Sequence, residues 1–111
     1  MSEIPNIPPD AIGSQLVRED AAFTELVTEF VGGLGAQLDV MQTALRGADF
    51  DVLKTSAHRL KGSGGGYGYP ILSEHAAVLE RHAAQQAMDD CIAAFDELKA
   101  VCNRVVPDAA S

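Results

Sequence analysis

FTELVTEFVGGLGAQLDVMQTALRG, residues 23–47, carries apolar side chains at Phe23, Leu26, Val27, Phe30, Leu34, Leu38, Met41 and Leu45. Steps of three and four put them on one face of a helix that turns about 100° per residue. The spacing predicts one long amphipathic helix, opened by Asp20 and closed by Arg46 and Gly47, a cation in the last turn with glycine just beyond. Gly32, Gly33 and Gly35 weaken its middle, so a kink or a close helix approach is expected there.

The same signature repeats downstream. Asp49 or Asp51 starts a second long helix, with Leu53, Ala57 and Leu60 as its buried line. Pro70 suits the first turn of a third, in which Leu72, Ala76 and Leu79 face inward. Asp89 or Asp90 caps a fourth along Cys91, Phe95, Leu98, Cys102 and Val105, and Pro107 stops it. Upstream, Pro5, Pro8 and Pro9 give residues 1–9 an extended lead-in, and Asp10 caps a short helix carrying Ile12 and Leu16. No segment alternates with the period of two that a half-buried strand needs. The expected fold is all-α: an antiparallel up-and-down four-helix bundle with a short N-terminal helix. It forms a single domain over 1–111, with 106–111 as a short tail.

Composition sets the class. A chain of 111 residues that is 47% hydrophobic and 22% charged suits one soluble domain with one core. No apolar run approaches the roughly 20 residues that span a bilayer, so no membrane association is expected. MSEIPNIPPD has neither the basic nor the apolar region of a secretory signal, which makes the cytoplasm the expected compartment. Met1 and the short ending VVPDAAS favour a free-standing domain. Cys91 and Cys102 stand three helical turns apart, about 16 Å along one face, too far for a disulfide, and are expected to be buried thiols.

A net charge of −8 argues against nucleic acid, whose phosphates demand a basic face. The distribution says more than the total. Between Asp51 and Glu74 there is no acidic residue, yet Lys54, Arg59 and Lys61 lie there, and His58 is among them.

With Leu53 at zero on the helical wheel, Ala57 falls near 40° and Leu60 near −20°, and His58 near 140°, on the solvent side. Lys54 (about 100°) and Lys61 (about 80°) flank it one turn before and after, while Gly62 (about 180°) and Gly65 (about 120°) share its face. A lone surface histidine ordinarily does nothing. Here glycines cluster on the same exposed face at a cost in helix stability, which signals close approach by a partner.

The chemistry narrows by residue type. No serine or cysteine nucleophile is paired with a base and an orienting carboxylate, so a hydrolytic triad is not expected. His75 and His82 share a helix face without a third ligand, so no metal site is expected. The glycines follow a helix rather than a strand, and GxxxxGK[ST] is absent. An exposed nucleophilic nitrogen beside cations suits a transient anionic group, and phosphoryl fits.

AHRLKGSGGGYGYPILSEHAAVLE, residues 57–80, resembles the signature of histidine-containing phosphotransfer (HPt) domains. The positions that carry the likeness are His58, Lys61, Gly62, Gly68, Leu72, Leu79 and Glu80, and the stretch from Glu19 to Leu53 resembles the family's preceding helix and its Gly-x-Asp turn. The likeness runs from about residue 19 to 105, nearly the whole chain. It implies a phosphate carrier in a phosphorelay rather than an enzyme with its own ATP site. His58 would be the phosphoacceptor, on Nε2, Lys61 the charge stabiliser and Lys54 a secondary one. Gly62, Gly65 and Arg59 would dock a response-regulator receiver domain or a hybrid histidine kinase. The receiver would bring its aspartate and Mg²⁺, so the chain would need no cofactor of its own. A monomer is expected on separate grounds, since the four apolar stripes can satisfy one another.

Two other readings fit the residues: the phosphoacceptor domain of a chemotaxis-type kinase, and a helical adaptor that binds its partner without phosphorylation. The run Gly64, Gly65, Gly66 departs from the family's usual mix of Ala, Ser and Gly and is expected to loosen the helix beyond the site. Tyr67 and Tyr69 are expected to pack against neighbouring helices.

Overall fold

The computed structural model describes residues 10–108, which leaves the lead-in over 1–9 and the last three residues of the tail outside the described residues. Among the described residues six α-helices follow one another: α1 (Gln15–Glu19), α2 (Thr24–Gly32), α3 (Leu34–Arg46), α4 (Phe50–Gly66), α5 (Pro70–Ala84) and α6 (Met88–Cys102). A single 3₁₀ turn, Ala21–Phe23, leads into α2. Among the described residues the only β pairing is an isolated parallel bridge between Ile12 and Val105.

The long helix predicted over residues 20–46 is two helices. Gly33 closes α2, its N–H donating to the carbonyls of Glu29 and Phe30, both at 3.1 Å, and α3 starts at the next residue. Three glycines in four positions remove the side-chain packing that would hold the α-helical ladder through this point. The apolar stripe survives the break in part. Val27, Phe30, Leu34 and Met41 are buried, Phe23, Leu38 and Leu45 half-buried, and Leu26 is exposed.

Other expectations shift by a few residues. Ser14, not Asp10, caps α1, its Oγ accepting from Val17 N at 3.2 Å, and Ile12 lies outside the helix in the bridge. Asp49 caps α4 through Oδ1, which accepts from Val52 N at 3.2 Å. Pro70 stands in the first turn of α5 as expected. Neither Asp89 nor Asp90 caps α6: Ala87 takes that position without a side-chain bond, and both acids fall in the first turn, where the helix dipole favours them. Pro107 does not stop α6. The helix ends at Cys102, and the chain beyond turns to pair with Ile12: Ile12 N donates to Arg104 O at 2.8 Å and Val106 N to Ile12 O at 2.9 Å.

The core lies where α3 packs on α4, α4 on α5, α5 on α6 and α6 back on α3. Leu53, Ala57 and Leu60 of α4, Leu72, Ala76 and Leu79 of α5, and Leu98 of α6 are fully buried. Cys91 is buried and Cys102 half-buried, both as free thiols, and burial pushes the Cys102 thiol up to about 12.

The glycine run does not loosen α4, which continues unbroken to Gly66. The turn after it is tied to segments near both ends of the chain. Gly68 adopts φ +91°, and a Cβ there would stand 2.6 Å from Ser14 Oγ, so only glycine fits. Ser14 Oγ donates to Tyr67 O at 2.6 Å, and the Tyr69 hydroxyl donates to Val106 O at 2.6 Å. Phe30 stacks on Tyr67, ring centroids 4.6 Å apart, so both tyrosines pack inward as expected.

Candidate functional site at His58

Burial of Leu53, Ala57, Leu60 and Gly64 fixes which way α4 faces, since each step of four or three returns to the same stripe. His58, next to Ala57, therefore points away from the core, and its side chain is 66% exposed. Lys61, one turn on, is half-buried at the edge of the same face.

The third member comes from the next helix. Glu80 follows buried Leu79 on α5 and sits at the seam with α4. Its Oε2 lies 2.8 Å from His58 Nδ1, and its Oε1 lies 2.9 Å from Lys61 Nζ. One carboxylate thus bridges both side chains. The hydrogen bond from Lys61 holds the Glu80 carboxyl below its usual range, with that from His58 adding to it, against partial burial that acts the other way.

An ionised carboxylate only accepts hydrogen bonds, so the His58–Glu80 contact requires the proton on Nδ1. The lone pair of the neutral ring then belongs to Nε2. The arrangement presents a nucleophilic nitrogen of set tautomer on a rigid helix, with an ammonium group one turn away.

The acid-free stretch between Asp51 and Glu74 is accordingly not a positive island in space, because α5 brings Glu80 against it. Composition gave Glu80 no role, and its signal was its place in the Leu79–Glu80 pair that closes the quoted pattern. Lys54, one turn before His58, is exposed. Arg59 turns the other way and lines a groove between α3 and α4 with Gln37, Val40 and Ser56. Gly62 and Gly65 are exposed. A Cβ on Gly62 would meet nothing within 4 Å, and one on Gly65 would touch Ser73 Oγ only at an ordinary 3.7 Å. Internal packing therefore demands glycine at neither position.

The other histidines differ from His58 in burial: His75 is 1% exposed and His82 8%. Among the described residues no group of three His, Cys, Asp or Glu side chains could hold a metal ion. No helix among them is long and apolar enough to cross a membrane.

Searches among curated proteins and solved structures found no match to the chain. The family model of the Hpt domain matches residues 25–106, from the first turn of α2 to just past α6, and takes in the whole His58–Lys61–Glu80 constellation. The chain belongs to the Hpt domain family, the histidine phosphotransfer modules of two-component phosphorelays.

Proposed function

We propose that the protein is a phosphorelay carrier that accepts a phosphoryl group on Nε2 of His58 and exchanges it with the aspartate of a receiver domain. The observation that carries this reading is the 2.8 Å contact between Glu80 and His58 Nδ1 on a ring that is otherwise open to solvent. In the acceptor step the Nε2 lone pair attacks phosphorus in line with the aspartyl oxygen. The N–P bond forms as the P–O bond breaks, and the electron pair leaves with the receiver's carboxylate. The ring keeps its Nδ1 proton and becomes cationic, and the Glu80 carboxylate stabilises that charge.

Lys61 is tied to Glu80 at rest, within side-chain reach of the arriving oxygens. As negative charge arrives on the phosphoryl group, its ammonium has a second anion to meet. Lys54 adds a weaker positive field from the preceding turn. Gly62 and Gly65 leave the face bare for the partner's active-site loops, and Arg59 offers a charge on the flank toward α3. The receiver brings its own aspartate and Mg²⁺, and the chain works without a cofactor or ATP site of its own.

In this reading α3 to α6 form an antiparallel up-and-down four-helix bundle, joined by connections of three residues. The protein acts as a cytoplasmic monomer. The test is a phosphotransfer profile against the receiver domains of the source organism, run with the wild type and His58→Gln. Transfer from at least one receiver, lost in His58→Gln while stability stays within about 0.5 kcal/mol, is expected. A His58→Gln variant that still takes phosphate would refute the assignment.

A further inference from the structure

We infer that Gly64 is a positioning residue for phosphotransfer: its missing side chain sets the α4–α5 spacing at which Glu80 reaches His58 and Lys61. This rests on the proposed role of Glu80. Four glycines lie in the last five residues of α4, and three of them have room for a side chain. A Cβ on Gly62 or Gly66 would meet nothing within 4 Å, and one on Gly65 only ordinary contacts at 3.7 Å and beyond. Gly64 is the exception. A Cβ there would stand 2.9 Å from Leu72 Cβ and 3.4 Å from Ser73 N. Leu72 is fully buried, and Ser73 N belongs to the backbone of α5, so neither can swing aside.

Gly64 and Leu72 form the first layer of the α4–α5 hairpin, three residues to either side of the Tyr67–Tyr69 turn. From that layer Glu80 lies about 12 Å further along α5, and His58 about 9 Å back along α4, at 1.5 Å per residue. Both helices are rigid over two turns, so spacing set at Gly64 is carried to the site. Restoring ordinary van der Waals contact around an added Cβ would part the helices by about half an ångström at that layer. The bonds to Glu80 span 2.8 and 2.9 Å. Added to both distances, this opening carries them past about 3.2 Å, the long end of ordinary N–H···O bonds, and so weakens the hold of the carboxylate on both partners. The tautomer of His58 would then be less firmly fixed with no change in any residue that touches it.

The experiment compares Gly64→Ala with Gly66→Ala, which makes the same chemical change where there is room. Nitrogen chemical shifts of the His58 ring, which report the protonated nitrogen, are read beside the rate of phosphorylation by a small phosphodonor. Glu80→Gln serves as the reference for a lost network. Gly64→Ala is expected to shift the tautomer as Glu80→Gln does and to slow phosphorylation by about tenfold or more. The control variant Gly66→Ala is expected to keep the wild-type tautomer and rate. Combining Gly64→Ala with Glu80→Gln should slow the reaction no further than Glu80→Gln alone. A folded Gly64→Ala protein that keeps the wild-type tautomer and rate overturns the inference. A Glu80→Gln protein with the wild-type tautomer overturns instead the reading of Glu80 on which it rests. Should Gly64→Ala not fold, Gly65→Val wedges the same layer more gently against Ser73. It is expected to shift the tautomer part of the way, and no shift there overturns the inference equally.

Discussion

His58 is held through one nitrogen and offers the other, and each half of that statement comes from a different helix. α4 decides exposure, because Leu53, Ala57 and Leu60 take its buried face. α5 decides the tautomer, because Glu80 reaches Nδ1. In the proposed role of Lys61 its ammonium would meet the charge that arrives with the phosphoryl group, so Lys61→Ala should slow phosphoryl transfer by about tenfold or more. Its melting temperature should barely move, because a part-exposed ion pair contributes no more than about 1 kcal/mol. A normal rate in stopped-flow transfer from a phosphorylated receiver would count against the role of Lys61. Glu80→Gln adds a pH signature. The Glu80 carboxyl is held below its usual range in the fold, so its stabilisation is present above about pH 4.3, the ordinary value for a glutamate. It is lost as pH falls through the depressed value. Urea titrations at several pH values should therefore show the stability gap between wild type and Glu80→Gln present at pH 5 and closing as the pH falls below about 4. The outward aim of His58 was legible from periodicity alone. The bridge to Glu80 was not, because helical spacing says which face a residue takes but not which residue of the next helix stands opposite.

At the scale of the elements, the α4–α5 hairpin carries two kinds of glycine with opposite requirements. Gly62 is open on all sides, so Gly62→Leu should fold with an equal or higher melting temperature, leucine being the better helix former. Its side chain would stand beside His58, so transfer from a cognate receiver should fall sharply, and near-normal transfer would mean that the bare face is no docking surface. Gly68 is the reverse. With φ +91° and Ser14 Oγ against it, Gly68→Ala should destabilise the fold by about 2 kcal/mol or more in urea titration. From sequence both read simply as glycines after a histidine. The backbone conformation and the N-terminal segment that separate them are long-range facts. The same limit explains the break at Gly33. Three glycines in four positions marked a weak point, but a bend within one helix and a division into two have the same apolar spacing.

For the whole molecule, α3 to α6 cover one another's apolar stripes, and the segments before α1 and after α6 close the end of the assembly through the Ile12–Val105 bridge and the Tyr69 hydroxyl. Circular dichroism should show a helical spectrum without a strand component, and sedimentation should find a monomer at micromolar concentration. A stable dimer would contradict the expectation that the stripes satisfy one another. The bundle was legible because four stripes of period 3.6 leave no other use for their apolar faces. The terminal bridge was not, since Ile12 and Val105 lie at opposite ends of the chain and carry no local sign of pairing. The most direct test of the central claim is to phosphorylate the protein and locate the phosphorus by phosphorus–nitrogen correlation NMR. One phosphoryl group on Nε2 of His58, with the proton retained on Nδ1, is the expected result. Phosphate on His75 or His82, attachment to Nδ1 of His58, or no histidine phosphate at all would contradict it.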